Sequence, residues 1–277
     1  MSTELKLTIA GTVAVASLVL SMSLASATHS QAAPARGLAT AEATCGTPAG
    51  LVHLDHSLTR TAQKLLNHQP ITIVAIGSSS TFGEGASSPE MSYPSRLAAE
   101  LQARFPGTPI TVLNRGVNGE TTADMLARFD RDVFAANPDL VIWQVGTNSV
   151  LAGLPIGPAA APIREGLGRL RADGADVIVV DPQFAPAVIR QDASVMVDMI
   201  AATAREANVN LFGRFAVMRH WRLADNLPFG AFVTHDELHM NDWGYGCIAK
   251  LLAGAIDGAT TRPTLTAIAQ PHRASRS

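Results

Sequence analysis

The chain has 277 residues, with 21 Lys and Arg against 23 Asp and Glu and a formal charge of -2. That balance excludes the basic surplus that holds a protein on nucleic acid, and 47% apolar against 16% charged residues excludes a chain disordered along its length. The length suits one α/β domain or two small ones, and two cysteines are too few for a disulfide scaffold or a Cys-based zinc module.

The first segment, residues 1–33, reads as an export signal. Lys6 precedes an apolar, small-residue run from Leu7 to Ala27, with Ala25-Ser26-Ala27 or Ser30-Gln31-Ala32 as the cleavage site. An uncleaved membrane anchor is the competing reading, because the run is almost long enough to span a bilayer. With cleavage, the mature protein is secreted or periplasmic and has no stable membrane association. An oxidising compartment permits a bridge between Cys45 and Cys247, worth up to about 5 kcal/mol in chain entropy. Two unrelated buried thiols are equally compatible with the sequence.

Residues 34–68 are expected to form a loose Ala-rich lead and then a helix near 55–67, capped by Asp55 or Ser57. Residues 69–258 alternate strand and helix signals. Strands are predicted at 71–76, 110–113, 140–145, 177–180 and 209–212, each a short, nearly continuous apolar run. Helices are predicted at 93–105, 121–135, 159–172, 195–207, 215–223 and 243–256, several of them closed by Pro or Asn-Pro. The alternation implies an α/β fold: a parallel sheet with helices on both faces, whose ligands bind at the carboxyl ends of the strands. Residues 259–277 read as a polar, disordered tail.

Four short segments concentrate chemistry at or near those strand ends. The first strand runs into Gly77-Ser78-Ser79-Ser80-Thr81. This loop suits a helix cap, a phosphate cradle of the kind that holds a flavin nucleotide, or a nucleophilic serine. Gly119 follows the second strand and can offer a backbone N–H, or is simply a turn glycine. Asn148 follows the third, as an oxyanion donor or a turn former. Late in the chain, Asp236 and His239 are spaced for a carboxylate to orient an imidazole base. His235 and His239 are alternatively spaced as metal ligands, but the metalloprotease pattern needs Glu directly after the first His, and Asp236 stands there.

Together the four segments provide what acyl transfer needs. The set Ser79, Gly119, Asn148 and Asp236-x-x-His239 resembles the SGNH (GDSL-type) hydrolases over residues 69–256. Ser78 replaces that family's usual Asp before the nucleophile, and Ser149 its usual acidic residue after the Asn. The resemblance implies a three-layer α/β/α, flavodoxin-like fold and an exported esterase without cofactor or metal. Its catalytic residues would be Ser79, Asp236 and His239, with an oxyanion hole from the N–H groups of Ser79 and Gly119 and the Asn148 side chain. The expected substrates are small-molecule or glycan esters of short acyl groups, including acetyl, with pocket walls near Pro182, Gln183, Phe184 and Trp221 to Phe229. An acyltransferase, a non-catalytic binding module on the same fold and a flavin-type carrier are the rivals.

Overall fold

The computed structural model describes residues 45–261; the expected signal segment and the tail beyond Thr261 lie outside them. Five strands form one parallel sheet: β1 (Ile71–Gly77), β2 (Ile110–Gly116), β3 (Leu140–Gln144), β4 (Asp176–Val180) and β5 (Asn210–Phe212). Their spatial order is β2-β1-β3-β4-β5, the flavodoxin-like order, in which the chain reverses direction between β1 and β3 and leaves a crevice at the strand ends.

Alternation along each strand divides the core into two layers. Ile71, Ile73 and Ala75 of β1 face one cluster with Leu140, Ile142, Ile178, Val180 and Phe212. That layer is covered by α1 (Thr59–Leu66), α3 (Tyr93–Arg104), α10 (Arg214–Leu223) and α11 (Asp242–Thr260). Val74 and Ile76 face the other cluster with Val141, Trp143, Val177 and Val179. There the cover is α4 (Thr122–Ala127), α5 (Phe129–Asp132), α7 (Ile156–Asp173) and α9 (Ser194–Glu206). Three one-turn helices sit in strand-end loops: α2 (Ser79–Phe82), α6 (Thr147–Leu151) and α8 (Pro186–Ile189). Because both faces are covered, the central strands β1, β3 and β4 are buried almost throughout and read as apolar runs, whereas the edge strand β2 exposes Thr111 and Asn114.

Two expectations are corrected. The first helix begins at Thr59 with Leu58 at its N-cap, not at Asp55 or Ser57, and no side chain caps it. Leu58 is buried in the core, while the backbone N–H and carbonyl of His56 are taken by the Asn210 amide (2.8 and 3.0 Å), so the chain is still turning there. The single helix expected over 121–135 is broken at Arg128 into α4, α5 and a 3-10 turn, Phe134–Ala136. The apolar spacing was real, since Leu126, Phe129 and Val133 are buried. Arg128, however, turns inward and donates to the carbonyls of Gly77 (3.2 Å) and Arg115 (2.8 Å), and pairs with Glu120 and Asp132. A buried guanidinium needs all of those acceptors, and meeting them bends the helix.

The lead before α1 is fastened down. Cys45 is disulfide-bonded to Cys247 of α11, closing a sequence separation of 202, and the Trp221 indole N–H donates to the Thr47 hydroxyl (3.2 Å).

Candidate active site

The site is built from segments that leave the carboxyl ends of the strands. β1 ends at Gly77, and a side chain there would meet Thr81 and Gln144. Ser79 opens α2, nearly buried at 8% exposure. Its neighbour Ser78 does not cap α2 with its side chain. Instead, both its hydroxyl (3.0 Å) and its N–H (2.8 Å) donate to the side-chain oxygen Oε1 of Gln144. The last residue of β3 therefore pins the turn on which Ser79 sits.

The loop from Val233 to Met240 brings the imidazole in. Val233 and Met240 form an antiparallel bridge, Thr234 N–H donates to the His239 carbonyl (2.8 Å), and Glu237 takes a left-handed conformation, φ 61°. Inside this turn the Asp236 carboxylate is crowded with donors. One oxygen accepts from the Thr234 hydroxyl (2.6 Å) and from the N–H groups of Leu238 and His239 (both 2.9 Å). The other lies 2.6 Å from His239 Nδ1. Burial pushes the Asp236 carboxyl up, but those donors outweigh it and hold it well below the usual carboxylate range. His239 Nε2 lies 2.8 Å from Ser79 Oγ. Ser79, His239 and Asp236 thus form one continuous hydrogen-bonded chain across 160 residues of sequence. Both ring nitrogens of His239 are committed, which leaves none for an ion shared with His235.

Gly119 and Asn148 are placed on the same rim. Gly119 lies in the turn after β2 with φ +79°, and a Cβ there would meet open space. It precedes the N-cap of α4, Thr121, by two residues. That helix starts at Thr122 and is closed by a reciprocal cap between Thr121 and Asp124. Asn148 lies in α6, and its side-chain amide donates to the Glu120 carbonyl (2.8 Å). One amide hydrogen is spent on that bond, which orients the group, and the second remains. Asn118 in turn donates to Glu84 (2.8 Å), and the Tyr245 hydroxyl to the Glu84 carbonyl (2.6 Å). The loops after β1, β2 and β3 are stitched together by these bonds.

Beside α2 opens a groove of about 530 Å³ lined by the exposed Phe82 and by Glu84, Gly85, Ser87, Pro89 and Asn114. Gly85 abuts His239, because a Cβ there would come within 3.0 Å of the His239 Cβ. The pocket walls expected farther round are corrected in part, since most of the stretch from Arg222 to Phe229 is exposed or half-buried. Pro182, Gln183 and Trp221 are buried, and half-buried Phe184 packs against Phe215 and Phe229. Beneath the loops lies a polar layer that sequence reasoning missed: Gln144, Asp181, Gln183 and Arg214, all at most 2% exposed. Burial pushes the Asp181 carboxyl up to about 7 against the opposing pull of the Phe215 N–H and Arg214. The available signal was Gln144 itself, a polar residue ending an apolar strand, since a buried amide requires partners.

In comparisons with known proteins, the chain resembles ester-cleaving enzymes. A model of the non-GDSL lipase-like family matches residues 44–262. An arylesterase from Vibrio mimicus is 26% identical over 142 residues, which is 50% of this chain and 70% of the relative. An acetylxylan esterase from Geobacillus stearothermophilus is 40% identical over 58 residues, 21% of this chain and 26% of the relative. Among solved structures, a two-domain esterase active on acetylated mannans superposes with a TM-score of 0.65 at 19% identity, over 76% of this chain. This chain spans 56% of that protein's length, and at such identity the likeness bears on the fold alone.

Proposed function

The chain belongs to the non-GDSL lipase-like family, and on that premise we propose that it is an exported serine esterase of the SGNH type that hydrolyses short-chain carboxylic esters, acetyl groups on glycans among them. The observation that carries this reading is the relay Ser79–His239–Asp236, with 2.8 and 2.6 Å between successive partners. Ser78 stands where the GDSL signature has Asp, in keeping with the family's description.

Ser79 Oγ attacks the ester carbonyl while His239 Nε2 takes its proton. Asp236, held ionised by its donors, fixes the imidazole tautomer and stabilises the imidazolium that forms. The oxyanion of the tetrahedral intermediate meets the N–H groups of Ser79 and Gly119 and the second amide hydrogen of Asn148. The imidazolium returns its proton to the departing alcohol, and water then cleaves the acyl-enzyme with His239 again as base. The alcohol part lies in the groove beside Phe82. The names of the two sequence relatives, an arylesterase and an acetylxylan esterase, support the substrate class. The disulfide and the apolar leader support export.

A panel of p-nitrophenyl esters of rising acyl length tests the reading. Turnover is expected to peak at short acyl groups and to vanish in Ser79→Ala with the fold intact by circular dichroism. A fluorophosphonate should label Ser79, not Ser78 or Ser80, in peptide maps. Full activity in Ser79→Ala would overturn the mechanism.

A further inference from the structure

We propose that Gln183 is a positioning residue that holds the nucleophile, the oxyanion donor and the base in mutual register; this rests on the serine-esterase reading above. Gln183 is 1% exposed and touches a residue adjacent in sequence to each of the three. Its carbonyl oxygen accepts from the hydroxyls of Thr147 (3.0 Å), which precedes Asn148, and Ser80 (3.4 Å), which follows Ser79. Its amide nitrogen donates to the carbonyl of Leu238 (3.3 Å), which precedes His239. One planar group therefore joins the ends of the segments that follow β1, β3 and β5.

The orientation of that group is dictated from below. The buried Arg214 guanidinium donates to the Gln183 oxygen (2.9 Å) and to the Asp181 carbonyl (3.1 Å). A guanidinium offers only donors, so the Gln183 oxygen faces it and the NH₂ is turned toward Leu238. Thr147 links the assembly to the second buried amide, because Gln144 Nε2 donates to its hydroxyl (3.3 Å). Gln144 in turn holds Ser78. A buried network of this kind is rigid only while every member is satisfied. Catalytic groups must be held within about 0.5 Å, and a misplacement of about 1 Å costs on the order of 10²-fold in rate. Gln183 reaches no reacting atom; it acts through Ser80, Thr147 and Leu238.

Gln183→Glu isolates the link to the base. A carboxylate keeps the bonds from Arg214, Thr147 and Ser80, loses the donor to Leu238, and sets two acceptors against each other. Gln183→Leu removes all four bonds at similar volume. The experiment measures kcat and KM on p-nitrophenyl acetate, the rate of fluorophosphonate labelling and Tm, with full-length wild type and Ser79→Ala alongside. Both variants are expected to lose about tenfold or more in kcat and in labelling rate, with KM within about twofold, and Gln183→Glu, which keeps three of the four bonds, to lose less Tm than Gln183→Leu. If Gln183→Leu does not fold, Gln183→Glu decides alone. A Gln183→Glu enzyme with kcat and labelling within threefold of wild type would overturn the inference, as would a change confined to KM or a rate loss that simply follows Tm. Wild type that is neither active nor labelled at Ser79 would instead overturn the esterase reading, and this inference with it.

Discussion

His239 has its two ring nitrogens committed in opposite directions, to a carboxylate on one side and a hydroxyl on the other, and the roles of the surrounding residues follow from that polarity. Asp236, although partly open to solvent, has one carboxylate oxygen taken by three protein donors, the Thr234 hydroxyl and the N–H groups of Leu238 and His239. Asn148 illustrates a subtler division: one amide hydrogen is spent on the Glu120 carbonyl, and the other is the oxyanion donor in the proposed mechanism. Asn148→Ala is therefore expected to lower kcat by roughly 10²–10³ while leaving Tm nearly unchanged; steady-state kinetics and a thermal melt check both halves. The residues of the relay were legible in the sequence because each lies in a short segment whose spacing has chemical meaning. The polar layer beneath was not: Gln183 read only as a pocket wall, and Gln144, though it closes an apolar strand, named no partner. Only burial makes such a residue informative, and burial is a property of the fold.

At the scale of elements, the turn carrying Ser79 is pressed from beneath by β2. A Cβ on Gly116 would lie 2.0 Å from the Phe82 backbone nitrogen and 2.5 Å from its Cα. No rotamer change relieves a clash with backbone. Gly116→Ala is expected to shift α2, to lower kcat at least tenfold, and to cost about 1–3 kcal/mol, roughly 2–12 °C in Tm. Gly168 of α7 provides the opposite case, since nothing lies within 4 Å of its added Cβ. Gly168→Ala is expected to be neutral or to stabilise by about 0.5–1 kcal/mol with unchanged kinetics. Differential scanning calorimetry of the pair checks the contrast. Five strands and most helices were readable from apolar runs and their Pro and Gly punctuation. The break at Arg128 was not, because periodicity reports which residues face inward but is silent on a charged residue that must bend the backbone to find its acceptors.

Over the whole molecule, composition and alternation give an α/β class with a covered parallel sheet, whereas strand order follows from long-range pairing that no local pattern encodes. The bridge between Cys45 and Cys247 was open in the sequence for the same reason. It joins the start of the described chain to its last helix, so its effect falls on the unfolded ensemble. Cys45→Ser, or reduction of the wild type, is expected to cost about 2–5 kcal/mol with kcat little altered. Calorimetry with and without reductant, paired with an ester assay, separates the two effects. The relay carries a consequence for timing. Ser79 is made early and His239 is 160 residues behind it, a delay of roughly 8–30 s at ordinary rates of protein synthesis. Throughout that interval the growing polypeptide carries Ser79 without His239 beside it, so on the proposed esterase reading its reactivity waits until the loop from Val233 to Met240 has been made and has closed over the rim.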